Sequence, residues 1–192
     1  MSFMTDEEIA AIGFGHVGRN VRLSRKASFH SPARIRIGDN TRIDDFCVLS
    51  AGEGGIEIGR NVHIAIQSSL MGKGRITLGD FANISSRVAI YSSNDDYSGE
   101  YMTNPTVPAE YTNITSGPVA IGRHVIIGSG SVVTLNVTIG EGVAVGALSL
   151  VRSDCEPFGI YVGSPARRVK DRSRRLLDME QQLLQAEAAP AA

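Results

Sequence analysis

GPVAIGRHVIIGSGSVVTLNVTIGEGVAVGALSLV, Gly117 to Val151, carries an aliphatic residue at every sixth position: Ile121, Ile127, Val133, Ile139, Val145 and Val151. Most of these are followed by glycine, then by two polar residues. A small or β-branched residue stands four places on. A short strand closed by a sharp corner, repeated three times per circuit, has this period. Successive circuits stack their aliphatic side chains inside a triangular prism, and the glycines are expected to serve tight corners.

Working outward, the same hexad begins at Ile37 (IGDNTR), Ile58 (IGRNVH) and Leu78 (LGDFAN). The aliphatic positions then form triplets: 17, 23, 29; 37, 43, 49; 58, 64, 70; 78, 84, 90; 121, 127, 133; and 139, 145, 151. The expected fold is all-β, a parallel β-helix of about six coils. The residues four places on also point inward, and Cys47 and Cys155 belong to that series. Both read as small core residues, since two cysteines are too few for a disulfide framework and lack metal-ligand spacing.

Departures from the hexad mark the places to look for function. AGEGGIE (51–57) and MGKGRIT (71–77) add two or three residues at one corner, which read as small bulges. Between Ile90 and Ile121 the distance is 31 residues where six would suffice, so about 25 residues are inserted there. This loop, 91–117, opens with YSSNDDYSGEYMTNP and is polar. A long polar loop on a rigid support is a place for binding and catalysis.

The flanks read as helical. Thr5-Asp6-Glu7-Glu8 fits a capping box, so residues 1–16 are expected to form an N-terminal cap on a prism spanning 17–164. Residues 165–192 are expected to form a C-terminal helix with a frayed tail, the helix bearing an apolar stripe of Leu176, Met179 and Leu183 beside Leu177 and Leu184. With 19 basic and 20 acidic side chains the net charge is −1, which disfavours nucleic acid as a partner. There is no signal-peptide pattern and no apolar run long enough to span a membrane, so the expected location is cytoplasmic.

The hexads, the long loop, the stretch 117–151 and the closing GIYVGSPARRVK together resemble the left-handed parallel β-helix acyltransferases of the hexapeptide-repeat superfamily. IYSSNDDYSG, NPTVP and GALSLV are similar to the branch that acetylates bacterial surface-polysaccharide sugars, on nitrogen or on oxygen. The resemblance implies acetyl-CoA as donor, no metal, and a homotrimer with its sites in clefts between adjacent prisms. It also implies a place for the catalytic base. In many sugar O-acetyltransferases of the superfamily a histidine stands at the start of the loop, and here that place falls on Asp95, flanked by Asn94 and Asp96. The four histidines, His16, His30, His63 and His124, all lie elsewhere. His63 and His124 fall next to hexad corners and are expected to lack the acidic partners that metal ligation needs.

That departure has chemical content. A sugar hydroxyl gains from an imidazole base, and a carboxylate of ordinary pKa is weaker by about two to three units. A neutral sugar amine needs only positioning and an acceptor for the proton it sheds. The reading therefore favours N-acetylation of a nucleotide-linked amino-deoxy sugar, such as a 4-amino-4,6-dideoxy sugar, for surface-polysaccharide synthesis. Asp95 and Asn94 are the candidate catalytic residues, and Asp96 and Tyr97 the candidate acceptor contacts. O-acetylation of a galactoside or polysaccharide hydroxyl is the alternative, and a non-catalytic scaffold a further one. For the donor, the resemblance points to Ser129 and Ala147 along the late coils, with Arg152, Arg167 and Lys170 on the phosphates.

Overall fold

A computed structural model describes residues 2–188. The chain winds into a three-faced prism, each face a sheet of short strands taken from successive coils. The first face runs His16–Val17, Ile35–Ile37, Ile56–Ile58, Ile76–Leu78, Val119–Ile121, Val137–Ile139, all parallel. The second and third faces repeat the pattern, from Arg22–Leu23 to Ala144–Val145 and from Ser28–His30 to Leu150–Val151.

Strand register places the hexad positions in three inward columns. Val17, Ile37, Ile58, Leu78, Ile121 and Ile139 align on the first face. Leu23, Ile43, Ile64, Ile84, Ile127 and Val145 align on the second. Phe29, Leu49, Leu70, Ile90, Val133 and Val151 align on the third. All are buried except Val17 and Phe29, which are partly buried in the terminal coil. Each buried aliphatic side chain contributes roughly 1.5–3 kcal/mol. The corner series is buried as well, from Thr41 and Cys47 to Ser149 and Cys155. Burial pushes both thiols up to about 11, so neither is a nucleophile at neutral pH.

Two hexad glycines, Gly130 at φ +73° and Gly142 at φ +68°, serve left-handed corners as expected, but those directly after the aliphatic residue are needed for a different reason. Left-handed corner geometry falls on Asn20, Asn40, Asn61, Phe81 and His124. The glycines before them stack directly on one another: a Cβ on Gly38 would lie 2.6 Å from the carbonyl carbon of Gly59, and one on Gly79 would lie 2.8 Å from that of Gly122. Close approach of coils, rather than backbone dihedrals, excludes a side chain there. The residue after each glycine alternates in charge up this edge, pairing Arg19 with Asp39, Arg60 with Asp80 and Arg123 with Glu141 at 3.1, 3.3 and 3.7 Å.

Both ends of the prism are covered. Helix α1 (Asp6–Ile12) starts at a capping box in which Thr5 and Glu8 bond each other's backbone amides, and it buries Ile9. At the other end the coil count exceeds six, because Gly159–Val162 adds to the second face beside Ala144–Val145. Here the expectation of helix from Pro165 fails: Arg167–Asp171 is a strand, antiparallel to Gly159–Val162. It covers a sheet edge that would otherwise be left open, and this tertiary pairing overrides the local helical tendency. Helix α2 begins at Arg175 and runs to Ala188, and residues 189–192 of the expected frayed tail lie outside the described residues.

Helix α2 folds back along the prism. Glu180, 8% exposed, accepts hydrogen bonds from Arg123 and from His124 Nε2, the latter at 2.9 Å. His124 in turn stacks on Phe81. Burial alone would raise the Glu180 carboxyl, but the His124 bond and the Arg123 charge outweigh it and hold it below the usual range. Leu177 and Leu184 face the prism side, half-buried, while Met179 and Leu183 stay 44% and 43% exposed. The two internal histidines do have acidic partners, contrary to expectation: Glu180 for His124, and Asp44 for His63 at 2.9 Å. No group of three ligating side chains occurs among the described residues.

Candidate active site

The inserted loop leaves the third face after Tyr91 and returns to the first face at Val119. Its stem is a two-stranded ribbon, Ser93–Asn94 against Thr115–Ser116. Ser92 anchors it: the side chain is buried, its hydroxyl donates to the Gly74 carbonyl at 2.8 Å, and its own carbonyl accepts from the Gly117 amide at 3.0 Å. Asn94 and Asp95 are thus the last residue of a fixed stem and the first residue beyond it.

A cavity of about 490 Å³ lies between this loop and the third face. Tyr91, Val132 and Thr134 supply the prism wall, and Asn94, Asp95 and Tyr97 the loop wall. The Asp95 carboxylate accepts no hydrogen bond from the described residues and is open to solvent. Asp96 behaves differently. It accepts from the Ser98 hydroxyl at 2.6 Å, the Ser98 and Gly99 amides at 2.7 and 3.3 Å, and Asn113 at 3.5 Å. The Ser98 hydroxyl, backed by these amides, holds its carboxyl below the usual range. Asp96 therefore shapes the loop, while Asp95 remains available. Tyr97, 86% exposed, stands at the rim.

The expected donor residues separate into two places. Ser129 and Ala147 follow the second-face strands Ile126–Ile127 and Ala144–Val145 at one edge, where a Cβ on Gly128 would lie 2.4 Å from the Ala147 amide nitrogen. The edge carries only small side chains at Ser129 and Ala147, with Leu148, 77% exposed, beside them. Arg167 and Lys170 are exposed on the strand that ends the same face. Arg152 is elsewhere, directly after Val151 on the third face. Tyr91 and Thr134 are among the cavity residues that sequence reasoning missed, with Ser93, Ile114, Val132 and Leu135. Tyr91 and Thr134 each directly follow a third-face core residue, Ile90 or Val133, and that signal was present in the hexad.

A larger groove of about 1020 Å³ lies beside α1, but Arg19 and Asp39 in its wall pair with each other. The loop cavity has the chemistry instead: an unengaged carboxylate and an amide side chain, with no imidazole in its wall. Such a site can hold an amine and accept its proton; it is poorly equipped to activate a hydroxyl. No described helix is long and apolar enough to cross a membrane.

No family model matches the chain. It is 57% identical over 180 residues, 94% of each chain, to dTDP-4-amino-4,6-dideoxy-D-glucose acyltransferase from Escherichia coli. Its fold is similar, at TM-score 0.93 and 46% identity over 98% of this chain and 99% of the other, to the N-acyltransferase AntD from Bacillus cereus in complex with dTDP and 3-hydroxybutyryl-CoA. A serine variant of AntD, solved with dTDP-4-amino-4,6-dideoxyglucose and coenzyme A, matches at TM-score 0.92 and 46% identity over 96% of this chain and 98% of that one. With the stacked hexads, the loop cavity and similarity along nearly the whole chain, this protein is an acyltransferase and belongs to the amino-sugar branch of the hexapeptide-repeat, left-handed parallel β-helix acyltransferases.

Proposed function

We propose that the protein transfers an acetyl group from acetyl-CoA to the 4-amino group of dTDP-4-amino-4,6-dideoxyglucose, in the cytoplasm, for surface-polysaccharide synthesis. The observation that carries this reading is the cavity wall: Asp95 and Asn94 are present and histidine is absent. Asp95 holds the neutral amine and takes the proton it loses, and Asn94 or a backbone amide faces the oxyanion as nitrogen attacks the thioester carbonyl. The C–N bond forms, the C–S bond breaks, and the thiolate leaves to be protonated. Tyr97 contacts the sugar from the rim, and Asp96 keeps the loop in shape. The pantetheine arm lies along the edge at Ser129 and Ala147, with Arg167 and Lys170 on the nucleotide phosphates.

The working form in this proposal is a homotrimer. One chain leaves Met179 and Leu183 exposed on α2, an apolar surface that neighbouring copies would bury. The test is the product. Incubation with acetyl-CoA and the dTDP-linked amino sugar should give a base-stable amide at the 4-nitrogen, seen by mass spectrometry and NMR. A base-labile ester, or thiol release without an acylated sugar, would overturn the reading.

A further inference from the structure

The outward residues of the third face form a column along the strand ends: Met71, Tyr91, Thr134 and Arg152. Register fixes this order, since Ile90 aligns with Val133 and Val133 with Val151, and the next residue of each strand points out. Two successive members, Tyr91 and Thr134, line the Asp95 cavity. Arg152 is the next rung, about 4.8 Å further along. It is exposed, it has no hydrogen-bond or ion-pair partner among the described residues, and its strand is the last of its sheet, with the backbone of Gly163 and Ala166 bonded to Leu150 above it. The nearby Asp154 carboxylate is engaged with the Thr138 amide at 2.7 Å.

The cavity wall contains one carboxylate and no cation. An acceptor bearing a diphosphate therefore needs positive charge from outside that wall, on a group the sugar's anomeric substituent can reach. We infer that Arg152 forms the diphosphate subsite of the acceptor, rather than a contact to the donor. The sugar amine sits at Asp95, the ring passes Tyr91 and Thr134, and the two phosphates meet the guanidinium, whose planar fork suits phosphate oxygens. Arg167 and Lys170 lie on the strand Arg167–Asp171 that ends the second face, whereas Arg152 follows the last strand of the third. The inference rests on the acceptor proposed above.

Calorimetry with dTDP alone and with acetyl-CoA tests it, comparing the parent with Arg152→Ala and Arg152→Lys. Arg152→Ala should weaken dTDP by about 10- to 100-fold while acetyl-CoA affinity stays within about two-fold, and Arg152→Lys should recover part of the loss. In turnover, kcat/KM for the dTDP-linked amino sugar should fall through KM, while the methyl glycoside of the same amino sugar should be unaffected. Weakened acetyl-CoA with unchanged dTDP would return Arg152 to the donor, and unchanged binding of both, or no dTDP binding by the parent, would remove the subsite. dTDP binding that depends on Arg152, without any amide product, would uphold the subsite and overturn the amine reading.

Discussion

The prism and the inserted loop obey opposite rules. In the prism each residue's environment is set by its place in a six-residue period, and glycine is required where the corners after the first face stack on one another. In the loop no period operates: Gly99, at φ +85°, has open space around it. The first kind of order builds a rigid wall, and the second lets a few polar residues stand unpartnered in front of it. On the proposed reading, stability resides in the first region and the acceptor's chemistry is set by the second.

The largest effect should come from violating the stacking. Gly79→Val puts a Cβ 2.7 Å from the Arg123 amide nitrogen, a backbone atom that cannot yield, and should cost about 3 kcal/mol or more, or prevent folding. Gly99→Ala meets nothing and should cost about 1–2 kcal/mol of left-handed strain. Urea unfolding compares the two, and equal losses would erase the distinction between the regions.

Next comes the reverse case, a loop change that spares the fold. Asp95→Ala should lower turnover about 10- to 1000-fold, roughly 1.4–4 kcal/mol of barrier, with unchanged acetyl-CoA affinity and unfolding midpoint. Asp96→Ala should instead lower the thermal stability of the loop, read by its protease sensitivity, because four hydrogen bonds converge on that carboxylate.

A smaller effect concerns α2. Glu180 has a folded pKa below its unfolded one, so its contribution is present above the ordinary carboxylate value of about 4.3 and lost as pH falls from there through the folded pKa. Stability measured from pH 6 downward should therefore drop in the parent, and less in Glu180→Gln, which should itself cost about 1–3 kcal/mol at neutral pH. The same pH slope in both would show that other groups govern the acid response.

The charge ladder should matter least. Arg60 and Asp80 are each about one-third exposed, so Arg60→Ala should cost under about 1 kcal/mol through this pair, and less in high salt. A larger, salt-insensitive loss would move the effect to the Arg60 stack over Phe81, 5.4 Å from the ring centroid.

The core was readable because one side chain per six residues must be apolar, and the positions from Leu23 to Val151 show it without exception. The strand at Arg167–Asp171 was not, since RRVKD carries no strand signal and exists by pairing with Gly159–Val162. The site was half readable. Asn94 and Asp95 follow from counting past Ile90, whereas Thr134 comes beside Tyr91 in the cavity wall because register stacks Val133 on Ile90, 43 residues apart in sequence. Asp96 shows the limit of composition: it is chemically the twin of Asp95, and hydrogen bonds from Ser98, Gly99 and Asn113 alone give it a different task.

The central claim, that a cavity with a carboxylate and no imidazole serves an amine, is tested most directly by acceptor selectivity. Acetyl-CoA-dependent thiol release should be measured with dTDP-4-amino-4,6-dideoxyglucose and with its 4-hydroxy counterpart, matched in nucleotide and ring. The account predicts kcat/KM higher for the amine by about 100-fold or more. Equal turnover of amine and hydroxyl would contradict it.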